Sequence, residues 1–98
     1  MKRPAILLLP QAEVEIQEAM HWYLERSALA ANAFKAELIE AIDSLADHPE
    51  RWPANEEGVR QRILRRFPYT LHYGFDELTV TVFAVAHHRR KPGYWQPG

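Results

Sequence analysis

The period of the apolar positions changes twice along the chain. Ala5-Ile6-Leu7-Leu8-Leu9 is an unbroken apolar run of strand length, ended by Pro10, which cannot donate to a sheet ladder. From Gln11 to Arg26 the apolar residues Ala12, Ile16, Ala19, Met20 and Tyr23 recur at helical spacing, with Glu13, Glu15, Glu18 and Glu25 off that face. Acids in the first turns suit the positive end of a helix dipole. Ser27 is a fitting N-cap for a second helix over Ala28–Asp47. There Phe34, Leu38, Ala41, Ile42 and Leu45 form the apolar stripe, and Lys35, Glu37, Glu40, Asp43 and Asp47 fall mostly outside it. Pro49 disfavours helix at His48 and so ends the element. The very short junction between the helices predicts an antiparallel hairpin.

Pro49 to Gly58 carries two prolines, an Asn and a glycine and reads as a loop. Beyond it the period becomes two. Over Val59–Phe67, Val59, Ile63 and Phe67 share one strand face while Arg60, Arg62 and Arg66 share the other; Arg65 falls on the Ile63 side, at a strand end or beside a bulge. After Pro68, Tyr69, Leu71, Tyr73 and Phe75 alternate with Thr70, His72 and Gly74. Asp76-Glu77 make a tight turn, and Leu78–Ala86 is dense enough in β-branched and apolar residues for a central strand buried on both sides. The three later strands form an antiparallel meander, and the helical hairpin is the crossover that sets the first strand parallel to one of them. The expected fold is α+β, in the order β-α-α-β-β-β, with the helices on one face of a four-stranded, mainly antiparallel sheet. At 98 residues the chain is expected to be one domain, 1–98.

Composition narrows the function classes. Hydrophobic residues are 47% and charged residues 26%, which suits a globular protein rather than a disordered one. No apolar run approaches the roughly 20 residues of a membrane span. Lys2-Arg3 and the following apolar run imitate a signal peptide, but Pro10 and the acids from Glu13 onward cut it short, so the expected location is the cytoplasm. The absence of cysteine excludes a disulfide framework, a thiol nucleophile and a thiolate zinc site. The net charge of −1 conceals a segregation: residues 1–59 balance to −6 and residues 60–98 to +5. Such asymmetry suits a surface for an anion, either nucleic acid or an acidic protein segment, or two faces of one small fold attracting each other.

Three constellations could carry chemistry. Arg60, Arg62, Arg65 and Arg66 offer planar forks that fit phosphate or carboxylate oxygens, or simply a solvated strand face. The tail His87-His88-Arg89-Arg90-Lys91-Pro92-Gly93-Tyr94-Trp95 gathers imidazoles, cations and aromatics. Adjacent histidines on a strand point to opposite faces and no carboxylate is near in sequence, so no metal site and no cofactor is expected. Metal-free RNA cleavage suits the set better: His, Tyr and Arg can act as base, acid and charge stabiliser, and Tyr94 or Trp95 can stack on a base. Trp95 reads equally as a core plug, and His87 as a structural hydrogen-bonding group. Finally, Trp22 lies off the apolar stripe of the first helix, either packed under the long loop or marking a partner surface.

Taken in order, the sequence resembles the RelE/ParE superfamily of bacterial toxins, and within it the ParE-like, plasmid-stabilisation branch. The matching residues are Ala12-Glu13, Ile16, Trp22-Tyr23, Phe34, Leu38, Ile42, Pro49, Trp52-Pro53, Arg60 through Arg66, Phe67-Pro68-Tyr69, Leu71, Tyr73 and Ala84-Val85-Ala86-His87. Arg90, Pro92, Tyr94 and Trp95 complete an HxxRxPxYW ending.

The resemblance implies a toxin of a type II toxin–antitoxin system, neutralised by a cognate antitoxin whose acidic or amphipathic segment wraps the hairpin and sheet. It offers two modes, ParE-like poisoning of DNA gyrase and RelE-like cleavage of messenger RNA on the ribosome. For a ribonuclease the residues at matching places are Arg65, His87, Arg90 and Tyr94. However, the sheet lysines such nucleases commonly use have no counterpart, because residues 59–86 contain no Lys. The expected reading is therefore a gyrase-directed toxin whose partner-binding residues are Arg60, Arg62, Arg66, Trp22, Arg89, Arg90 and Trp95. A small, non-toxic nucleic-acid-binding module is the third reading.

Overall fold

A computed structural model describes residues 3–89. Its elements are β1 (Ala5–Leu8), α1 (Pro10–Arg26), α2 (Ala28–Asp47), β2 (Arg60–Ile63), β3 (Tyr69–Phe75) and β4 (Thr79–His87). The sheet order is β1-β4-β3-β2, with β1 parallel to β4 and the other pairs antiparallel. This is the expected α+β layout, with the two helices packed on one face of the sheet.

Local chemistry explains most boundaries. Pro10 does not merely end the strand but opens α1, where the missing N–H costs nothing. Ser27 is the whole junction between the helices: its Oγ accepts from the Ala30 N–H at 3.1 Å, and its own N–H donates to the Tyr23 carbonyl. At the β3–β4 turn Asp76 Oδ1 accepts from the N–H groups of Leu78 and Thr79.

The buried core runs through Phe34, Leu38, Leu45, Leu71, Tyr73, Val80, Val82 and Val85, and a partly buried aromatic knot packs against it. Tyr23 from α1, Phe34 from α2, Phe67 and Tyr69 have ring centroids 5.2–5.3 Å apart in the four contacting pairs. Tilted and edge-on pairs of this kind add about 0.5–1.5 kcal/mol each beyond their buried area.

Three features depart from the sequence expectation. First, β2 ends at Ile63 instead of running to Phe67. The Leu64 N–H donates to the Tyr69 carbonyl and the Tyr69 N–H to the Phe67 carbonyl, so residues 64–68 form a compact hairpin loop around Pro68. Arg65 and Arg66 lie on that loop, and Arg66 does not extend a row begun by Arg60 and Arg62. Second, the faces of β2 are the reverse of a core-facing Ile63. Arg60 pairs with Tyr73 and Arg62 with Leu71, both wholly buried on the helix side, whereas Ile63 pairs with Thr70 on the opposite side and is 55% exposed. The loop of residues 48–55 covers this edge of the helix-side face, and its carbonyls receive the guanidinium of Arg60, as described below. A long arginine can line such a face because its stem packs while its head reaches a polar partner.

Third, β4 carries a bulge. Between His72 and Tyr73 the partner on β4 jumps from Ala84 to Val82, leaving Phe83 as the extra residue. Val80 and Val82 join the core before the bulge, and Val85 after it. The added residue therefore turns His87 toward the helices and His88 to the other face, where its Nε2 lies 3.1 Å from Thr70 Oγ1. The Phe83 ring lies over Gly74, where a Cβ would come within 3.2 Å of it.

Candidate functional site

Two surfaces gather the polar and aromatic side chains. One is a cleft of about 450 Å³ between α1 and the paired ends of β3 and β4. Glu15, Glu18 and Trp22 come from α1, Tyr69 from β3, and His87 and Arg89 from the end of β4. Helical spacing sets the first three along one side of α1, and the β4 bulge supplies His87. The His87 ring stands edge-on to Tyr69, with centroids 5.1 Å apart and planes at 85°. The Arg89 N–H donates to His87 Nδ1 at 3.1 Å, which leaves Nε2 to carry the ring proton.

Glu15 lies off the expected solvent side of α1, at 6% exposure. Its Oε1 accepts the Val85 N–H at 2.9 Å, beyond the point where the β1–β4 ladder stops at Val82. Burial raises the phenol pKa values of Tyr23 and Tyr69; for Tyr69 the neighbouring Tyr23, Glu15 and Glu18 raise it further. Both phenols therefore remain protonated donors at neutral pH. Trp22 is half-exposed, edge-on to Tyr23 at 5.0 Å, with the Arg26 guanidinium 3.7 Å from its ring centroid. It is a cleft wall rather than a residue packed under the long loop. Aromatic walls, held phenols and carboxylates suit binding of a protein side chain or segment.

The second surface surrounds the loop of residues 48–59. Asn55 Oδ1 accepts from the N–H groups of Glu57 and Val59, and Gly58 takes a φ of 82°, so the loop has a fixed turn. Tyr73 on β3 donates its hydroxyl to the Pro49 carbonyl at 2.6 Å. Arg60 Nη1 donates to the carbonyls of Glu50, at 2.9 Å, and Trp52. Burial raises the Tyr73 pKa, against the pull of the nearby arginines Arg60 and Arg62. The Arg62 guanidinium lies 4.9 Å from the Trp52 ring centroid, and that of Arg51 5.5 Å.

The arginines at positions 60, 62, 65 and 66 thus divide. Arg60 and Arg62 serve the loop around Trp52. Arg65 pairs with Glu40 of α2 at 3.7 Å, and Arg66 Nε with Glu37 at 3.3 Å. Glu37 is a second glutamate that leaves the expected polar side, at 5% exposure, and it also accepts the backbone N–H groups of Arg65 and Arg66. Desolvation raises its pKa, but those N–H groups and the Arg66 guanidinium outweigh it, and the net shift is downward.

The cleft brings together Trp22, His87 and Arg89 from the expected residues; Arg65 is not among its lining residues. Arg60 and His87 stand opposite Tyr73 and Tyr69, four residues and about 13 Å apart along β3. Arg90, Tyr94 and Trp95 lie outside the described residues. Sequence reasoning missed Glu15, Glu37, Tyr69, Arg51 and Trp52 as parts of these surfaces. Spacing sets the two glutamates on the apolar side, since Ala12, Glu15 and Ala19, like Phe34, Glu37 and Ala41, share one helix face, but it does not show the distant N–H groups that hold them there. Among the described residues no group of three or more His, Asp or Glu could hold a metal ion, and no helix is long and apolar enough to cross a membrane.

Comparison with known proteins agrees with this architecture. Residues 6–92 match a family model described as the ParE toxin of the type II toxin–antitoxin system parDE. A solved structure described as the chromosomal ParDE toxin–antitoxin system from P. aeruginosa has a chain of the same fold, at a TM-score of 0.74 and 13% identity. The match covers 87% of this chain and 96% of that one. No curated protein matches the sequence.

Proposed function

We propose that this chain, which belongs to the ParE toxin family of type II toxin–antitoxin systems, inhibits DNA gyrase and is neutralised by a cognate antitoxin in the cytoplasm. The family match across residues 6–92 carries this reading. The distribution of charge supports the choice of mode. A metal-free nuclease needs its base, acid and cations around one phosphate. Here Arg65 lies on the exposed 64–68 loop beside Glu40 of α2, while His87 faces Tyr69 in the cleft beside α1. Residues 59–86 offer no lysine in compensation. The same cleft, with Trp22, His87 and Arg89, suits a protein partner better than a reacting phosphate, because Glu15 and Glu18 would repel the latter.

The test is inducible expression with and without the reading frame adjacent to its own, scoring plasmid supercoiling and transcript integrity in parallel. Growth arrest with altered supercoiling and intact transcripts, relieved by the neighbouring frame, is the expected outcome. Arrest with cleaved transcripts and unchanged supercoiling would assign the ribosome-dependent ribonuclease instead, and unaffected growth would favour the plain nucleic-acid-binding module.

A further inference from the structure

We infer that the cleft beside α1 is the seat of the chain's own C-terminal segment, residues 90–98, fastened there by an ion pair between Arg90 and Glu15. Glu15 is 6% exposed, and its Oε1 accepts the Val85 N–H. A carboxylate taken this far from water is held well only when a cation is brought to it. Glu18, one turn further along α1, lines the same cleft. Both acids push the Tyr69 phenol pKa upward, so their negative field reaches across to β3. Trp22, Tyr23 and Tyr69 set aromatic rings beside them. A guanidinium suits such a site better than an ammonium, because it stacks on a ring while its edge binds a carboxylate.

Chain connectivity makes the C-terminal segment the nearest source of that guanidinium. β4 ends at His87, and the chain turns at His88 and Arg89, where the Arg89 N–H donates to His87 Nδ1 instead of to a neighbouring strand. Arg89 is itself a wall of the cleft, so Arg90 starts one Cα step, about 3.8 Å, from it. The sequence after Arg89 carries two cations, Arg90 and Lys91, and no acid. Pro92 cannot donate to a ladder, and Pro92-Gly93 is a turn signal, so nothing in the sequence prolongs β4.

Charge and tethering select this occupant over others. An acidic segment would meet Glu15 and Glu18. A basic segment from another molecule would compete with a cation tethered at an effective concentration on the order of millimolar. The seat is a property of the chain alone and holds whether its target is gyrase or the ribosome. A protein partner that addresses Trp22 therefore meets a cleft that the chain's own segment already fills.

The experiment is limited digestion of the full chain with trypsin, timing cleavage after Arg90 by mass spectrometry against a synthetic peptide of residues 86–98. Cleavage should be about tenfold or more slower in the folded chain than in the peptide. Glu15→Gln, which keeps an oxygen for the Val85 N–H but removes the charge, should recover about fivefold or more of that rate. Glu18→Gln, at an exposed position that leaves the fold intact, should speed cleavage about twofold. Glu25→Gln, whose neighbour is His21 on the same helix, should leave the rate unchanged. In urea melts Arg90→Gln and Glu15→Gln should be coupled, the double variant falling short of additivity by about fivefold in the unfolding constant. Cleavage at the peptide's rate, protection unchanged in both glutamate variants, or an additive double variant would overturn the assignment. So would protection that fades on dilution, which would place a second copy's segment in the cleft.

Discussion

Replacing Glu37 by alanine tests whether a buried carboxylate, rather than the apolar stripe alone, fastens the 64–68 loop to α2. The substitution removes the acceptor of two backbone N–H groups, those of Arg65 and Arg66, and of the Arg66 guanidinium. A buried N–H left without an acceptor costs about 1–3 kcal/mol, and the lost pair with the largely exposed Arg66 side chain adds under ~1 kcal/mol. Because the two N–H groups are only part-buried, water recovers some of this, and the expected loss is about 2–4 kcal/mol. For a domain of this size that is a fall in Tm of roughly 10–25 °C. Thermal and urea unfolding followed by circular dichroism measures it. Arg66→Gln, which removes the side chain but keeps its backbone N–H on Glu37, should cost less than ~1 kcal/mol.

The pH dependence supplies a second readout. Glu37 is more acidic in the folded chain than its usual 4.5, so the folded state binds its proton less readily than the unfolded state does. Its contribution is complete above the usual value and is lost as pH falls through the lower folded one. The stability gap between wild type and Glu37→Gln should therefore be widest near neutrality and shrink in acid. An alanine variant that melts within about 3 °C of wild type, or a gap that does not change with pH, would refute the reasoning.

Other substitutions probe the remaining supports. Tyr73→Phe removes the bond to the Pro49 carbonyl and should cost about 1–2 kcal/mol in urea unfolding, with faster amide exchange confined to residues 48–55. Arg60→Gln should speed proteolytic cleavage of the same loop while leaving far-ultraviolet dichroism unchanged, because the latch to the Glu50 and Trp52 carbonyls is local. Burial pulls the His72 pKa below its usual 6.5, so stability should decline as pH falls from that value toward the lower folded one, and His72→Gln should flatten that decline in a series of melts. Gly58→Ala should cost about 1 kcal/mol in the same melts, since its φ of 82° suits only glycine well.

The order and type of the elements were legible in the sequence because hydrophobic period, Ser27, Pro49 and the turn at Asp76 all act locally. The antiparallel meander and the parallel return of β1 follow from connection lengths, which the chain also displays. What could not be read depends on groups distant in sequence. Glu15 and Glu37 read as solvated because they are charged, yet each is buried by backbone N–H groups that the sheet leaves unpaired, at Val85 and at Arg65 and Arg66. The apparent alternation through Val59–Phe67 hid both the early end of β2 and the reversal of its faces. Ile63 is apolar, but its pairing with Thr70 sets it outward, and the loop carbonyls make an inward Arg60 possible. The bulge at Phe83, which aims His87, leaves no local trace beyond Gly74, the residue its ring covers.

For the candidate site, Trp22, His87 and Arg89 were found by type and do meet at one cleft. The arginines were found too, but their division into a carboxylate-paired set and a Trp52-centred set needed coordinates. That division removes the idea of one continuous basic strand face.

The account is tested most directly by adding the purified chain to DNA gyrase and relaxed plasmid in a supercoiling assay, with ribosome-bound messenger RNA as a parallel substrate. It predicts dose-dependent loss of supercoiling and intact messenger RNA; full gyrase activity alongside a cleaved transcript would contradict it.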